Sequence, residues 1–90
     1  MIARIWRGWA PRATADYYQR HYESEVSEHL RAVDGFRGAR LLRRHEGHEV
    51  MFTSITWFTN VAAVRGFAGD EYEQAVVEEA ARQALSRCDE

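Results

Sequence analysis

The sequence holds little cysteine, little proline and no block of one charge. Its single cysteine, Cys88, can form neither an intrachain disulfide nor a zinc site, which fits a reducing cytoplasm. Its single proline is Pro11. Twelve basic and fourteen acidic residues are scattered along the chain, for a net charge of −2 with His neutral. Without a basic stripe, nucleic acid is not expected as a partner. No apolar run approaches ~20 residues, so no membrane span is expected. The opening MIARIWRGWAPRA lacks the long apolar core of a signal peptide. No repeat, low-complexity tract or linker interrupts residues 1–90, which read as one domain.

What the chain does have is aromatic bulk: three Trp, four Tyr and four Phe in 90 residues. A core this small leaves little surplus stability, and association with a second copy is a natural way to add some.

Ile2 to Trp9 reads as a first strand, closed by Gly8 and Pro11, since proline cannot donate to a ladder. Arg12 to Val33 reads as a long helix. Tyr18, Tyr22, Val26, Leu30 and Val33 recur at four, four, four and three residues, one continuous apolar stripe. Asp34-Gly35 stops it, with Gly35 suited to a left-handed cap. Phe36 to His45 and Val50 to Phe58 form an arginine-rich hairpin across Glu46-Gly47. Asn60 is a good N-cap for a short helix, Val61 to Phe67, with Val64 and Phe67 inward. Asp70 can cap a last helix from Glu71 to about Arg87, with Cys88 in its final turn. Its stripe is Tyr72, Ala75, Val76, Ala80 and Ala84.

Strand, helix, strand, strand, helix, helix is the split βαβ plan of an α+β, ferredoxin-like subunit. Strand three lies between strands one and two, and the helices cover one face of an antiparallel sheet. The stretch HEVMFTSITWF then poses a problem of cover. Val50, Phe52, Ser54, Thr56 and Phe58 point one way, and Met51, Thr53, Ile55 and Trp57 the other. The expectation is that Ile55 and Trp57 face the helices, and that Arg4, Trp6 and Gly8 lie on the bare face. A bare apolar face of several hundred square ångströms is rare on a monomer. A second copy packed sheet to sheet by two-fold symmetry covers it, so a homodimer is expected.

The stretches GFRGARLLRR (Gly35 to Arg44), FTSITWFTNVAAVRGFAG (Phe52 to Gly69) and YEQAVVEEAA (Tyr72 to Ala81), with the opening IARIWRG, resemble the antibiotic biosynthesis monooxygenase-like family of dimeric α/β barrels. The resemblance covers essentially the whole chain. It implies a dimeric α/β barrel. Two features depart from the family pattern. Phe58, Thr59 and Asn60 stand where family members usually carry Trp-Glu-Ser. The chain also runs out in LSRCDE, where the family has a fourth strand beside the first, so that edge is expected to be unpaired.

Relatives that degrade haem use an Asn, a Trp and a His whose slots here hold Ile5, Phe67 and Val76. None of these can ligate iron, so no cofactor is expected. Other relatives oxidise polycyclic phenols with oxygen alone. The resemblance to them implies an aromatic or apolar small molecule held in a helix–sheet cleft, deprotonated and stabilised as an anion. The candidates are Tyr22, Tyr72 and His21 for catalysis, and Ile5, Tyr18, Trp57 and Phe67 for substrate binding; Phe58 is a further aromatic beside Trp57. Against this, an aromatic stripe at helical spacing is also what a core looks like, with the Tyr hydroxyls at its rim.

Other clusters have plain readings. His21, Glu25 and His29 share a helix face at i, i+4 and i+8. That spacing suits a metal, but equally a solvated face with i, i+4 pairing, and no metal is expected. Arg40, Arg43 and Arg44 could hold an anion, or keep an edge strand from aggregating. Cys88 has no nearby His to activate it. No phosphate loop or nucleophile elbow is present. Two functions remain: a cofactor-independent monooxygenase, or a non-enzymatic ligand-binding or assembly module with a degenerate site.

Overall fold

The computed structural model describes residues 1–73 and 79–89. Three long strands, β1 (Ile2–Pro11), β2 (Phe36–Glu46) and β3 (Glu49–Phe58), join a two-residue strand, β4 (Arg87–Cys88), in one antiparallel sheet of order β2-β3-β1-β4. β3 is central. It pairs with β1 from Ile2↔Phe58 to Pro11↔Glu49, and with β2 from Phe36↔Phe58 to Glu46↔Glu49. A bulge between Phe36 and Gly38 sets the start of β2. Between β1 and β2 the chain runs through α1 (Arg12–His21), a π turn (Tyr22–Val26) and α2 (Ser27–Arg31). α3 (Val61–Ala68) and α4 (Glu79–Ala84) follow β3.

The π turn has a sequence cause. Four-residue spacing overshoots the 3.6-residue period of an α-helix by ~40° each turn, so three such steps would swing the stripe off the sheet. A wider turn at Tyr22–Val26 absorbs the excess, and Tyr18, Tyr22 and Leu30 all remain buried. The helix expected to reach Val33 ends at Arg31, just before Gly35. Gly35 has φ 87°, and a Cβ there would lie 2.6 Å from both Ala63 Cβ and Thr59 Oγ1. Glycine therefore serves both the turn and the approach of α3. Asn60 caps α3 as its position predicts, accepting from Ala63 N at 3.0 Å.

The two faces of the sheet are the reverse of the sequence expectation. Val50, Phe52, Ser54, Thr56 and Phe58 face the helices and are buried, while Ile55 and Trp57 lie on the other side with Met51 and Thr53. Their β1 neighbours follow the register. Ile2, Arg4, Trp6, Gly8 and Ala10 lie under the helices, and Ala3, Ile5, Arg7 and Trp9 are on the open face. Steric room is one reason. The Trp6 ring folds across Gly8, where a Cβ would come within 2.5 Å of it. Gly8 and Ala10 leave space there that larger residues would fill.

The C-terminal segment also departs from expectation. α4 stops at Ala84, and Cys88 lies in a strand rather than in a helix turn. The expected bare edge of β1 is partly closed. Ser86 N donates to Trp9 O at 2.7 Å and Asp89 N to Arg7 O at 2.9 Å, while Gly8 pairs with Cys88. Unpaired main-chain groups at a sheet edge attract any segment able to reach them. The start of the expected last helix is a turn at 71–73, and Ala75 and Val76 fall outside the described residues.

Among the described residues the core divides into two clusters. Ala10, Ala15, Tyr18, Val50, Phe52, Ala81 and Ala84 form one; Leu30, Phe58, Ala63 and Val64 form the other. On β3 the divide falls at Ser54 and Thr56, the two hydroxyl residues of an otherwise apolar face. No helix among the described residues is long and apolar enough to cross a membrane.

Candidate functional site

Between the two core clusters the helices and sheet border an open-sided cavity of about 590 Å³. Ser54 and Thr56 of β3, with Arg4 and Trp6 of β1, line its sheet side. Tyr18, His21, Tyr22 and His29 line its helix side, and Phe67 and Tyr72 one end. A face with hydroxyls in place of a third and fourth large apolar group leaves a gap that the helices do not fill, and the volume lies within the ~300–1,000 Å³ of small-molecule sites.

The polar groups have defined partners. Tyr22 Oη and Ser54 Oγ are 3.2 Å apart in a buried hydrogen bond. His21, 8% exposed, places Nδ1 3.2 Å from Glu25 Oε2 across the π turn. A carboxylate at Nδ1 accepts its N–H and orients the ring. The Arg4 guanidinium lies over the Phe67 ring at 5.6 Å, and the His29 ring centroid is 5.2 Å from that of Phe67. Burial lowers the pKa of Arg4 from its ordinary value, because water no longer solvates all of its charge. Burial, then repulsion from Tyr22 and from Cys88, raises Tyr18 well above an ordinary phenol. Tyr18 therefore stays protonated, its ring packed 4.7 Å from Phe52 and 6.1 Å from Trp6.

Of the residues proposed from sequence, His21, Tyr22, Tyr72, Tyr18 and Phe67 meet at this cavity. Ile5 contributes to its wall, but its side chain belongs to the open face and the residue is 64% exposed. Trp57 does not line the cavity; it lies on the open face opposite Ala3. Phe58 is core. Arg4, Trp6, Ser54 and Thr56 also line the site, since they lie on the sheet face opposite to the one the sequence leads one to expect under the helices. The signal for them was the small pair Gly8 and Ala10, which marks the β1 face that helices approach.

The remaining clusters have structural roles. His21 pairs with Glu25 while His29 packs at a tilt of 58° against Phe67, and among the described residues no group of three His, Cys, Asp or Glu could hold a metal. Arg43 donates to Asp16 at 3.0 Å and Gln19 at 2.6 Å, tying β2 to α1. Arg40 donates to Ala39 O at 2.8 Å, and Arg44 approaches Glu46 at 3.9 Å. Trp6 Nε1 donates to Asp89 O at 3.1 Å, so the C-terminal segment holds one wall of the cavity in place.

No family model matches the chain, and no curated protein is similar to it at a significant level. The fold and cleft define a small α+β protein with a half-open, mostly apolar site that carries a few polar groups.

Proposed function

We propose that the protein is a small-molecule monooxygenase of the antibiotic biosynthesis monooxygenase-like type, acting on an aromatic metabolite with dioxygen and no cofactor. The observation that carries this reading is the cavity of about 590 Å³, whose aromatic and aliphatic walls converge on His21 and on the Tyr22–Ser54 pair. A flat phenol or quinol slides between Tyr18, Trp6 and Phe67. His21 Nε2 takes its proton, and Glu25 at Nδ1 stabilises the imidazolium that results. Tyr22 donates to the developing oxyanion, with Ser54 holding the phenol in position. The electron-rich anion then reduces dioxygen. One oxygen atom enters the substrate as a carbonyl, and the other leaves as water with two substrate hydrogens. Tyr72 closes the end of the site, its ring held under Arg65 at 5.4 Å.

The same reading makes the subunit ferredoxin-like and one half of a dimeric barrel. Ile5, Ile55, Leu42, Trp57 and Met51 share the open sheet face, and Leu42 is 53% exposed. A second copy packed face to face removes this surface from water.

Oxygen consumption with anthrone- or quinol-type substrates tests the activity. Uptake above that of a Tyr22→Phe, Tyr72→Phe double variant is the expected result, and equal rates count against it. One observation favours a carrier without catalysis: the Tyr22 hydroxyl already has a partner in Ser54. Tight ligand binding with no oxygen uptake would decide for that second reading.

A further inference from the structure

The central strand brings two hydroxyls to the cavity, and they differ in what they bond. Ser54 Oγ is tied to Tyr22 Oη at 3.2 Å. Thr56 lies two residues further on the same face and is only 7% exposed. Its hydroxyl has no hydrogen-bond partner among the described residues, and it opens onto the cavity that Thr56 lines. The fold therefore gains no side-chain bond from this oxygen within those residues. What the strand favours here is a β-branched side chain, and Val50 on the same face supplies that shape without a hydroxyl. Thr56 is flanked by Arg4 on β1 and Ala39 on β2, so a methyl in place of the oxygen has room. A hydroxyl taken out of water without a partner is unfavourable. The same hydroxyl in a binding site discriminates, because a ligand that brings no oxygen leaves it unpaired.

We propose that Thr56 is a ligand-binding residue that sets the selectivity of the cavity: its hydroxyl bonds a neutral oxygen, carbonyl or hydroxyl, carried by a ring ligand. A neutral oxygen is the match because an aliphatic hydroxyl both donates and accepts and brings no charge to offset an ion's. The inference rests on the oxygenase reading for the location of the site, but on no step of its reaction. Thr56 adds a polar contact separate from Tyr22 and Ser54, since the Cα atoms of Ser54 and Thr56 are ~7 Å apart at the rise of a strand. A ligand with oxygens on two rings can use both places, and a plain hydrocarbon uses neither.

Equilibrium dialysis with 2,6-dihydroxynaphthalene and with naphthalene, alongside thermal unfolding of the free protein, tests this. Thr56→Val should weaken the diol about three- to tenfold, the range of one neutral hydrogen bond. Naphthalene should bind that variant as well as the wild type or more tightly. The free variant should keep its Tm or gain up to ~4–8 °C, because an unpaired hydroxyl is replaced by a methyl. A residue that serves only the fold would show the opposite sign. Thr56→Ser keeps the oxygen and loses the methyl, so it should hold the diol within about twofold even if its Tm falls. Diol affinity unmoved by Thr56→Val would overturn the assignment. Equal weakening of both probes, or a Tm that drops by several degrees in Thr56→Val, would overturn it too. Failure of both probes to bind would sink the role of Thr56 and the oxygenase site together. The expected selective loss in a protein that consumes no oxygen would support Thr56 and sink only the oxygenase.

Discussion

Tyr22 on the π turn and Ser54 on the central strand share a buried hydrogen bond of 3.2 Å, the point where the helix layer is tied to the sheet by side-chain hydroxyls. Removing either partner leaves the other buried and poorly paired, which costs ~1–3 kcal/mol, whereas removing both can cost less than the sum. Tyr22→Phe and Ser54→Ala should each destabilise the fold, and the double variant should show a coupling of ~1 kcal/mol. Urea denaturation of the four proteins measures it.

The Trp6 ring leaves no room for a methyl group at Gly8. Gly8→Ala should cost ~1–3 kcal/mol through overpacking. The loss should shrink in a Trp6→Leu background, where the obstructing ring is gone. Thermal unfolding of the single and double variants distinguishes this clash from a backbone effect.

The open face should respond to charge. Leu42→Glu, at a position already exposed within one subunit, should leave the monomer folded and abolish the proposed dimer. Sedimentation at micromolar concentration is expected to give twice the 10.5 kDa chain mass for the wild type and the single mass for the variant. A wild-type protein that sediments as one chain would remove the dimer.

Acid should loosen the C-terminal segment. Glu49 is hydrogen-bonded by Ser86 and then paired with Arg87, and these hold its pKa below the ordinary 4.5. The unfolded chain therefore binds this proton more readily than the folded one. The stabilisation is present above pH 4.5 and is lost as pH falls through the lower, folded value. Amide protection at Ser86 and Asp89, corrected for intrinsic exchange, should fall in that range. In Glu49→Gln it should be flat.

The order of elements along the chain was legible because each has a local cause. The Tyr18-to-Leu30 stripe, the Asn60 cap and the Gly35 stop depend on neighbours within a turn or two. The π turn is not among them: the four-four-four spacing reads as one continuous helix from Arg12 to Val33, and the structure widens it at Tyr22–Val26. The faces of the sheet were not legible, because β3 carries large groups on both sides and its hydroxyls look solvent-facing. Ser54 is buried only because Tyr22, 32 residues away, supplies a partner. β4 is two residues long and owes its pairing to the edge of β1, so no propensity marks it. In the helix half of the candidate site, Tyr18 and Tyr22 belong to one periodic stripe, while His21 belongs to the flanking face with Glu25 and His29 that reads as solvated and is buried in the fold. The sheet half, Arg4, Trp6 and Thr56, required knowing which way β1 faces.

The stitching of Asp89 to Arg7 and to the Trp6 indole bears on how the protein is handled at the bench. Asp89 lines the rim of the cavity, so residues inserted beside it would stand at the doorway of the site. Met1, 77% exposed, is the safer place to attach a purification handle.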